Sequence, residues 1–276
     1  MYALPIGQIR LTVLDDGTWP FPARSFFHNV PEAVWRRHVS TDAHGKIPVS
    51  HNYAVVQDAR ELIVIDTGYG DDTHDGRTGH LLAELARAGY QREDVTIVVN
   101  THAHGDHIKR NTLVENGRRR PTFPRARYYL GRADYDWFGG ARGDVHEFES
   151  HIGTIERLGQ LTLVDDELAL TDEVSLLPTP GHTPGHLSVV IMSEGRTAIY
   201  LGDICHHPLH FAHLDWVSEF DAQPALMPAS RAQLLGFAAG CGALLICPHA
   251  PSPGVGRLTR TSEGFQWQAA NRSFSE

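Results

Sequence analysis

Cysteine is scarce in this chain of 276 residues: Cys205, Cys241 and Cys247 are all there is, and no two of them form a CxxC pair. That excludes a disulfide scaffold and a cysteine-rich structural zinc site. It fits a reducing compartment, so a cytoplasmic location is expected. Long apolar runs are missing as well. The longest are pieces such as Leu187–Met192 and Ala243–Cys247, far short of the ~18–20 residues that span a bilayer. The opening MYALPIGQIR has no basic segment followed by an apolar one, so no secretory signal is expected. Positive charge is in deficit: 24 Lys and Arg against 33 Asp and Glu give −9. A chain whose main partner is nucleic acid or an anionic membrane carries the opposite sign. With no fixed-period repeat, low-complexity tract or long linker, a single domain over residues 1–276 is expected.

What the chain has in excess is histidine, 18 residues of it. Imidazole is the commonest side-chain metal ligand and the usual acid or base at neutral pH, so its distribution matters. The apolar pattern alternates strands with helices. Strands are expected at Ile9–Leu14, Asn52–Gln57, Glu61–Ile65, Val95–Val99, Tyr128–Leu130, Leu161–Val164, Val174–Leu177, Leu187–Met192, Ala198–Leu201 and Ala243–Ile246. Helices are expected over Gly79–Ala88, stopped by Gly89, and over Ser230–Ala239. Asp15-Asp16-Gly17 reads as a turn, and Asp58-Ala59-Arg60 as the tip of a hairpin. Two mixed sheets with helices outside them accommodate this α/β alternation.

Two aromatic stretches resist a regular reading, Trp19–Ser50 and Tyr135–Leu158 with its GGARGD turn. They are either lids or binding loops, at about 19–50 and 135–158, or surface segments whose rings pack on the core. The arginine-rich stretch Gly117–Arg127 reads as a solvated loop between a helix and a strand.

The chemistry concentrates in Val95-Thr-Ile-Val-Val-Asn-Thr-His102-Ala-His104-Gly-Asp106-His107, a buried strand that empties into four metal-ligand candidates. In extended backbone, residues i and i+2 point the same way, so His102 and His104 can converge on one ion. Asp106 and His107 point away from that pair, towards a second ion. Further candidates follow apolar strands: His182 and His186 in PTPGHTPGH, Asp203 in YLGD, His249 in ICPH. The ends of strands are where α/β sheets place their sites.

HAHGDH, GHTPGH, GD and a late PH, with Ile65-Asp66-Thr67-Gly68 upstream, resemble the metallo-β-lactamase-fold hydrolases over about residues 8–260. The lactonase and phosphotriesterase-like (methyl parathion hydrolase-like) branch is the one most similar. The resemblance implies a four-layer αβ/βα sandwich of two mixed β-sheets with a dinuclear metal centre at one edge. By motif, His102, His104 and His182 hold the first ion, Asp106, His107 and His249 hold the second, and Asp203 bridges them. Asp66 is expected to orient a ligand imidazole or its loop. His186 is expected beneath His182 or capping the next strand, and Cys205 as a small buried filler. Many relatives continue the first motif with Gly-Gly, whereas this chain has Ile108-Lys109-Arg110, whose charged side chains are expected to face solvent.

Histidine and carboxylate donors without thiolate suit two zinc ions first, then Mn2+, Co2+ or Fe2+. Such a pair shares a hydroxide and polarises the scissile bond of a small lactone or ester. On this reading Asp106, Asp203 and His206 carry the catalysis, with His206 where several lactonases have a Tyr that contacts the substrate carbonyl. Phosphotriester, β-lactam and thioester hydrolysis share the ligand set, and cleavage of RNA or DNA is disfavoured by charge. The expected partner is a small apolar substrate, with no nucleic acid and no membrane; a homodimer is compatible with the sequence.

Overall fold

The computed structural model describes residues 1–71, 77–140, 144–262 and 264–270. Its strands in chain order are β1 (Tyr2–Ile6), β2 (Ile9–Pro22), β3 (Lys46–Gln57), β4 (Leu62–Ile65), β5 (Ile97–Val99), β6 (Thr112–Glu115), β7 (Arg118–Pro121) and β8 (Arg127–Gly131). There follow β9 (Leu161–Val164), β10 (Leu168–Ala169), β11 (Val174–Pro178), β12 (Leu187–Ser193), β13 (Arg196–Tyr200), β14 (Leu244–Ile246), β15 (Val255–Arg260) and β16 (Phe265–Ala269). Two seven-stranded sheets form, in the orders β1-β2-β3-β4-β5-β8-β9 and β10-β11-β12-β13-β14-β15-β16, beside a β6-β7 hairpin. Both sheets are mixed. The first is antiparallel as far as β4 and parallel from there. In the second, only β13 and β14 run parallel.

Period-2 alternation decides which face each residue buries. Val189, Ile191, Ala198, Tyr200, Leu244 and Ile246 turn inward to a core shared with Leu11, Val55, Ile63 and Val98 of the first sheet. Their neighbours Val190, Ile199 and Leu245 turn outward, under Leu234, Leu235 and Ala238 of the helix Met227–Cys241. That helix ends on Gly242 at φ 64°, a left-handed cap that glycine takes without strain. On the first sheet, Leu81 and Leu85 of the helix Leu81–Arg87 pack into the shared core. Each such aliphatic side chain contributes roughly 1.5–3 kcal/mol through burial. The architecture is the expected α/β sandwich of two mixed sheets. No helix among the described residues is long and apolar enough to cross a membrane.

Several local readings need correction. Asp15-Asp16-Gly17 is a bulge inside β2, where Asp15 pairs with Asn52 and Gly17 with His51. The Asp16 carboxylate turns inward and accepts the N–H of Leu81 at 2.6 Å and of Tyr69 at 3.3 Å. That tertiary demand outweighs the local turn signal. Trp19–Ser50 is largely regular: β2 and β3 extend through it, joined by the helices Ala23–Phe26 and Glu32–Trp35. Trp19, Phe27 and Trp35 are buried in the interior. Tyr135–Leu158 is built of short helices, and Phe148 packs with Ile152 and Leu130; Ala141–Gly143 of its GGARGD turn lie outside the described residues. Within the arginine-rich stretch, Arg118–Pro121 form the strand β7, with Arg118, Arg119 and Arg120 exposed, and only 122–126 form a loop, which leads into β8. The strands β1, β6, β10, β15 and β16 are short or weakly patterned and were not anticipated.

Candidate metal centre

The ends of β5, β11, β13 and β14 converge at one edge of the sandwich. After β5 the chain passes through His102 and His104 into a short helix, Gly105–Ile108, which carries Asp106 and His107. The loop after β11 brings His182, the turn after β13 brings Asp203, and the turn after β14 brings His249.

Asp203 stands in the middle. Its Oδ2 lies 3.4 Å from His107 Nε2, 3.5 Å from His182 Nε2, 3.3 Å from His206 Nε2 and 3.8 Å from His102 Nε2. His249 Nε2 is 3.2 Å from the same carboxylate. On one side, His104 Nδ1 is 2.9 Å and His102 Nε2 3.2 Å from His182 Nε2. On the other, Asp106 Oδ2 is 3.5 Å from His107 Nε2, 3.7 Å from His249 Nε2 and 3.4 Å from His51 Nε2. All seven expected ligands are thus brought together, and His206 joins them.

The donor set fits metal ions on its own chemistry. His182 Nε2 lies within hydrogen-bonding distance of two other imidazole nitrogens, and one proton on it cannot serve both. His107 Nε2 and Asp203 Oδ1 are buried with no hydrogen-bond partner among the described residues, a costly state unless a cation takes up their lone pairs. The outward nitrogens are satisfied: Nδ1 of His107 meets Asp66 Oδ2 at 2.8 Å, Nδ1 of His182 meets Asp221 Oδ1 at 3.0 Å, and Nδ1 of His249 meets Ser50 O at 3.0 Å. Carboxylate or carbonyl acceptors behind a ligand imidazole fix its tautomer and aim Nε2 inward.

Electrostatics follow from burial. Desolvation pushes His104 and His186 down to about 3 and His51 to about 4, so these imidazoles are neutral. Burial alone also lowers His107, but the Asp203, Asp106 and Asp66 carboxylates override it and raise that imidazole. Burial disfavours the charge on Asp203, yet the imidazoles of His249, His107 and His206 hold it well below the usual carboxylate range.

The supporting residues follow the same logic. Asp66, at φ 60°, also accepts Thr101 N at 2.8 Å and the Tyr200 hydroxyl at 3.1 Å. His186 lies beneath Asp203, where its Nε2 accepts the Asp203 N–H at 2.9 Å. Gly202, at φ 57°, leaves the space that ring occupies, because a Cβ there would come within 2.4 Å of it. Cys205 is buried, and burial pushes its thiol up to about 12. Lys109 and Arg110 do not face solvent as expected. Arg110 forms a two-pronged pair with Asp71 at 2.5 and 2.6 Å, and Lys109 Nζ reaches Glu147 Oε2 at 2.9 Å. Their acidic partners come from distant segments, which a helix-exposure argument does not see.

Sequence reasoning missed His51, Asp221 and Asp134. Asp134 ties the two histidine loops together by accepting from Ala103 N at 3.2 Å, Thr183 Oγ1 at 2.9 Å and Gly185 N at 2.6 Å. Each is a lone polar residue with no motif around it. Above the cluster opens a cleft of about 300 Å³, at the lower end for small-molecule sites. Phe21, Phe26, Val49 and Phe220 form its apolar wall, and Lys109 and Glu147 stand at its edge.

Known proteins are similar to this chain in sequence and in fold. A family model described as the metallo-beta-lactamase superfamily matches residues 47–211. An N-acyl homoserine lactonase of a Bacillus species is 26% identical over 148 residues, 53% of this chain and 53% of that protein. Ribonuclease TTHA0252 of Thermus thermophilus is 33% identical over 132 residues, 42% of this chain and 27% of that protein. The chain thus spans about half the length, or less, of these curated relatives. Among solved structures, that of AidC, a dizinc quorum-quenching lactonase in complex with a product, is 25% identical with a TM-score of 0.83, covering 98% of this chain and 97% of that one.

Proposed function

The chain belongs to the metallo-beta-lactamase superfamily, and on that premise we propose that it is a metal-dependent hydrolase that opens a small lactone or ester. The observation that carries this reading is the Asp203 carboxylate, set between two groups of ligand side chains on the floor of an apolar-walled cleft. His102, His104 and His182 would hold one ion, Asp106, His107 and His249 a second, and Asp203 would touch both. Zinc suits these donors, as do manganese, cobalt and iron. Bound there, a pair of ions supplies Lewis acidity to an acyl carbonyl and lowers the pKa of water.

The chain's own residues do the rest. Asp203 and Asp106 bring negative charge that balances the cations. Asp66, Asp221 and the Ser50 carbonyl hold the imidazoles in the tautomer that presents a lone pair. His206 lines the cleft with Nε2 towards Asp203, and its Nδ1 is buried with no partner among the described residues. Its proton therefore sits on Nε2, where the N–H can hydrogen-bond an oxygen that gains negative charge. Phe21, Phe26 and Phe220 provide an apolar surface for an acyl chain or ring. Glu147 pairs with Lys109 at the rim, which favours an uncharged substrate.

Elemental analysis and a hydrolysis panel test the proposal. About two ions per chain are expected, with lactone or aryl ester turnover above that of phosphotriesters, thioesters, β-lactams and single-stranded RNA. A chain that takes up no zinc, manganese or cobalt refutes it. RNA cleavage equal to lactone hydrolysis and falling steeply with salt would refute it too, and would give the exposed Arg118–Arg120 edge a role.

A further inference from the structure

Strand β3 presents four consecutive residues to the half of the centre built on Asp106 and His249. The Ser50 carbonyl accepts from His249 Nδ1. Asn52 Nδ2 donates to the carbonyls of Pro248 at 2.9 Å and Ala250 at 2.8 Å, fixing the turn on either side of His249. The Tyr53 hydroxyl donates to the Asp106 carbonyl. His51, two residues before Tyr53 and on the same face, is the fourth. Its side chain is 1% exposed, and its Nε2 lies 3.4 Å from Asp106 Oδ2. The ring is wedged edge-on to Trp19, 4.7 Å between centroids, with Tyr69 at 5.1 Å.

The two ring nitrogens decide what His51 does. In His107, His182 and His249, Nδ1 has an acceptor, so the proton sits there and Nε2 keeps a lone pair for an ion. His51 Nδ1 is buried with no partner among the described residues. A buried N–H left unpaired is rarer than an unpaired acceptor, so the proton sits on Nε2 instead. That N–H faces a carboxylate charge at 3.4 Å, and its own ring is almost wholly buried, so the attraction is little screened on that side. We propose that His51 is a positioning residue: its Nε2–H holds the Asp106 carboxylate for the second ion without itself binding the ion.

The inference rests on Asp106 being a ligand. Metal-free protein and the variants His51→Ala and His51→Gln are titrated with zinc against a chromophoric chelator, and with cobalt by visible absorption. Glutamine keeps an N–H donor of similar reach but no imidazole lone pair. His51→Ala is expected to weaken one of the two ions by about 10–100-fold and spare the other. His51→Gln is expected to recover most of that loss with the wild-type cobalt bands. If His51→Gln binds as weakly as His51→Ala with shifted bands, His51 is itself a ligand and the proposal fails. It also fails if His51→Ala binds both ions like the wild type. Should His51→Ala not fold, His51→Leu and His51→Gln, closer in bulk, decide the same question. A wild-type chain that takes up a single ion removes the reading of Asp106 and this inference together.

Discussion

Replacing Asp66 by Asn changes no bulk and inverts one tautomer. Asp66 is fully buried and accepts at both oxygens: Oδ1 from Thr101 N at 2.8 Å, Oδ2 from His107 Nδ1 at 2.8 Å, from Thr101 Oγ1 at 2.8 Å and from the Tyr200 hydroxyl at 3.1 Å. In the variant the amide oxygen keeps Thr101 N, so the amide NH2 takes the place of Oδ2. The Tyr200 hydroxyl adapts by rotating towards Asn52 O, 3.3 Å away. The His107 ring cannot rotate out of its buried slot; its Nδ1 becomes the acceptor and its proton moves to Nε2. That nitrogen faces Asp106 and Asp203, so the proposed second ion would lose a lone pair. Losing such a partner behind a ligand costs about 10–100-fold in metal affinity, or about 1.4–2.8 kcal/mol. Losing a hydrogen bond to a buried charge costs about 1.5–3 kcal/mol of stability, which for a chain of this size lowers Tm by roughly 3–12 °C. Chelator competition on metal-free protein reads the first effect, and a thermal melt of the same protein reads the second. An Asp66→Asn chain that binds two zinc ions as tightly as the wild type would refute the claim that Asp66 sets the His107 tautomer.

Two more expectations follow, one from the same geometry and one from the buried Asp16 carboxyl. Asp203→Ala should cost more activity than His206→Ala, because Asp203 faces both ligand groups, whereas a single hydrogen-bond donor contributes about 10²–10³-fold; steady-state rates at saturating zinc decide it, and equal losses would promote His206 to an equal rank. Burial pushes the Asp16 carboxyl up to about 6 against the backbone N–H groups of Leu81 and Tyr69. The folded state therefore holds that proton more tightly than the unfolded one, whose carboxyl titrates near ~3.9. Stability from this group is full below pH ~4 and lost as pH rises through about 6, on the order of 3 kcal/mol in all. Urea unfolding of wild type and Asp16→Asn from pH 4 to 7 should show the wild type losing that much more than the variant; parallel curves would sink the argument.

The strands that carry the ligands were legible because they are apolar on both faces. Ile63, Val64 and Ile65 are all fully buried, as are Val98 and Val99, and a run with no polar face has few readings. The ligands stand at the ends of such runs, so the run also locates them. The β6–β7 hairpin and β15–β16 were not legible, because their residues alternate weakly and one face is solvated: Arg118, Arg119 and Arg120 carry no burial signal at all. The bulge at Asp16 was misread for a different reason. Its stability comes from Leu81 N and Tyr69 N, which the chain reaches only after folding. His51 shows the same limit at the centre itself. On β3 it is one polar residue among eleven others, and only the fold sets it against Asp106.

A second ring of acceptors stands behind three of the imidazoles, and each acceptor comes from a separate part of the chain. Asp66 leaves the end of β4 to hold His107, Asp221 comes from the segment before the helix Met227–Cys241 to hold His182, and the Ser50 carbonyl of β3 holds His249. Asp66 and Asp221 also accept from Thr101, Tyr200 and Ser218, so each is held in place by its own segment while it accepts from an imidazole. Three separate segments that each aim one imidazole inward accord with the proposed use of the inward lone pairs. The same reasoning separates His51 and His206 from the rest. Both turn Nε2 towards a carboxylate, but neither has an acceptor behind it among the described residues, so both present a proton where His107, His182 and His249 present a lone pair. The centre thus has two kinds of histidine, sorted by what stands behind the ring.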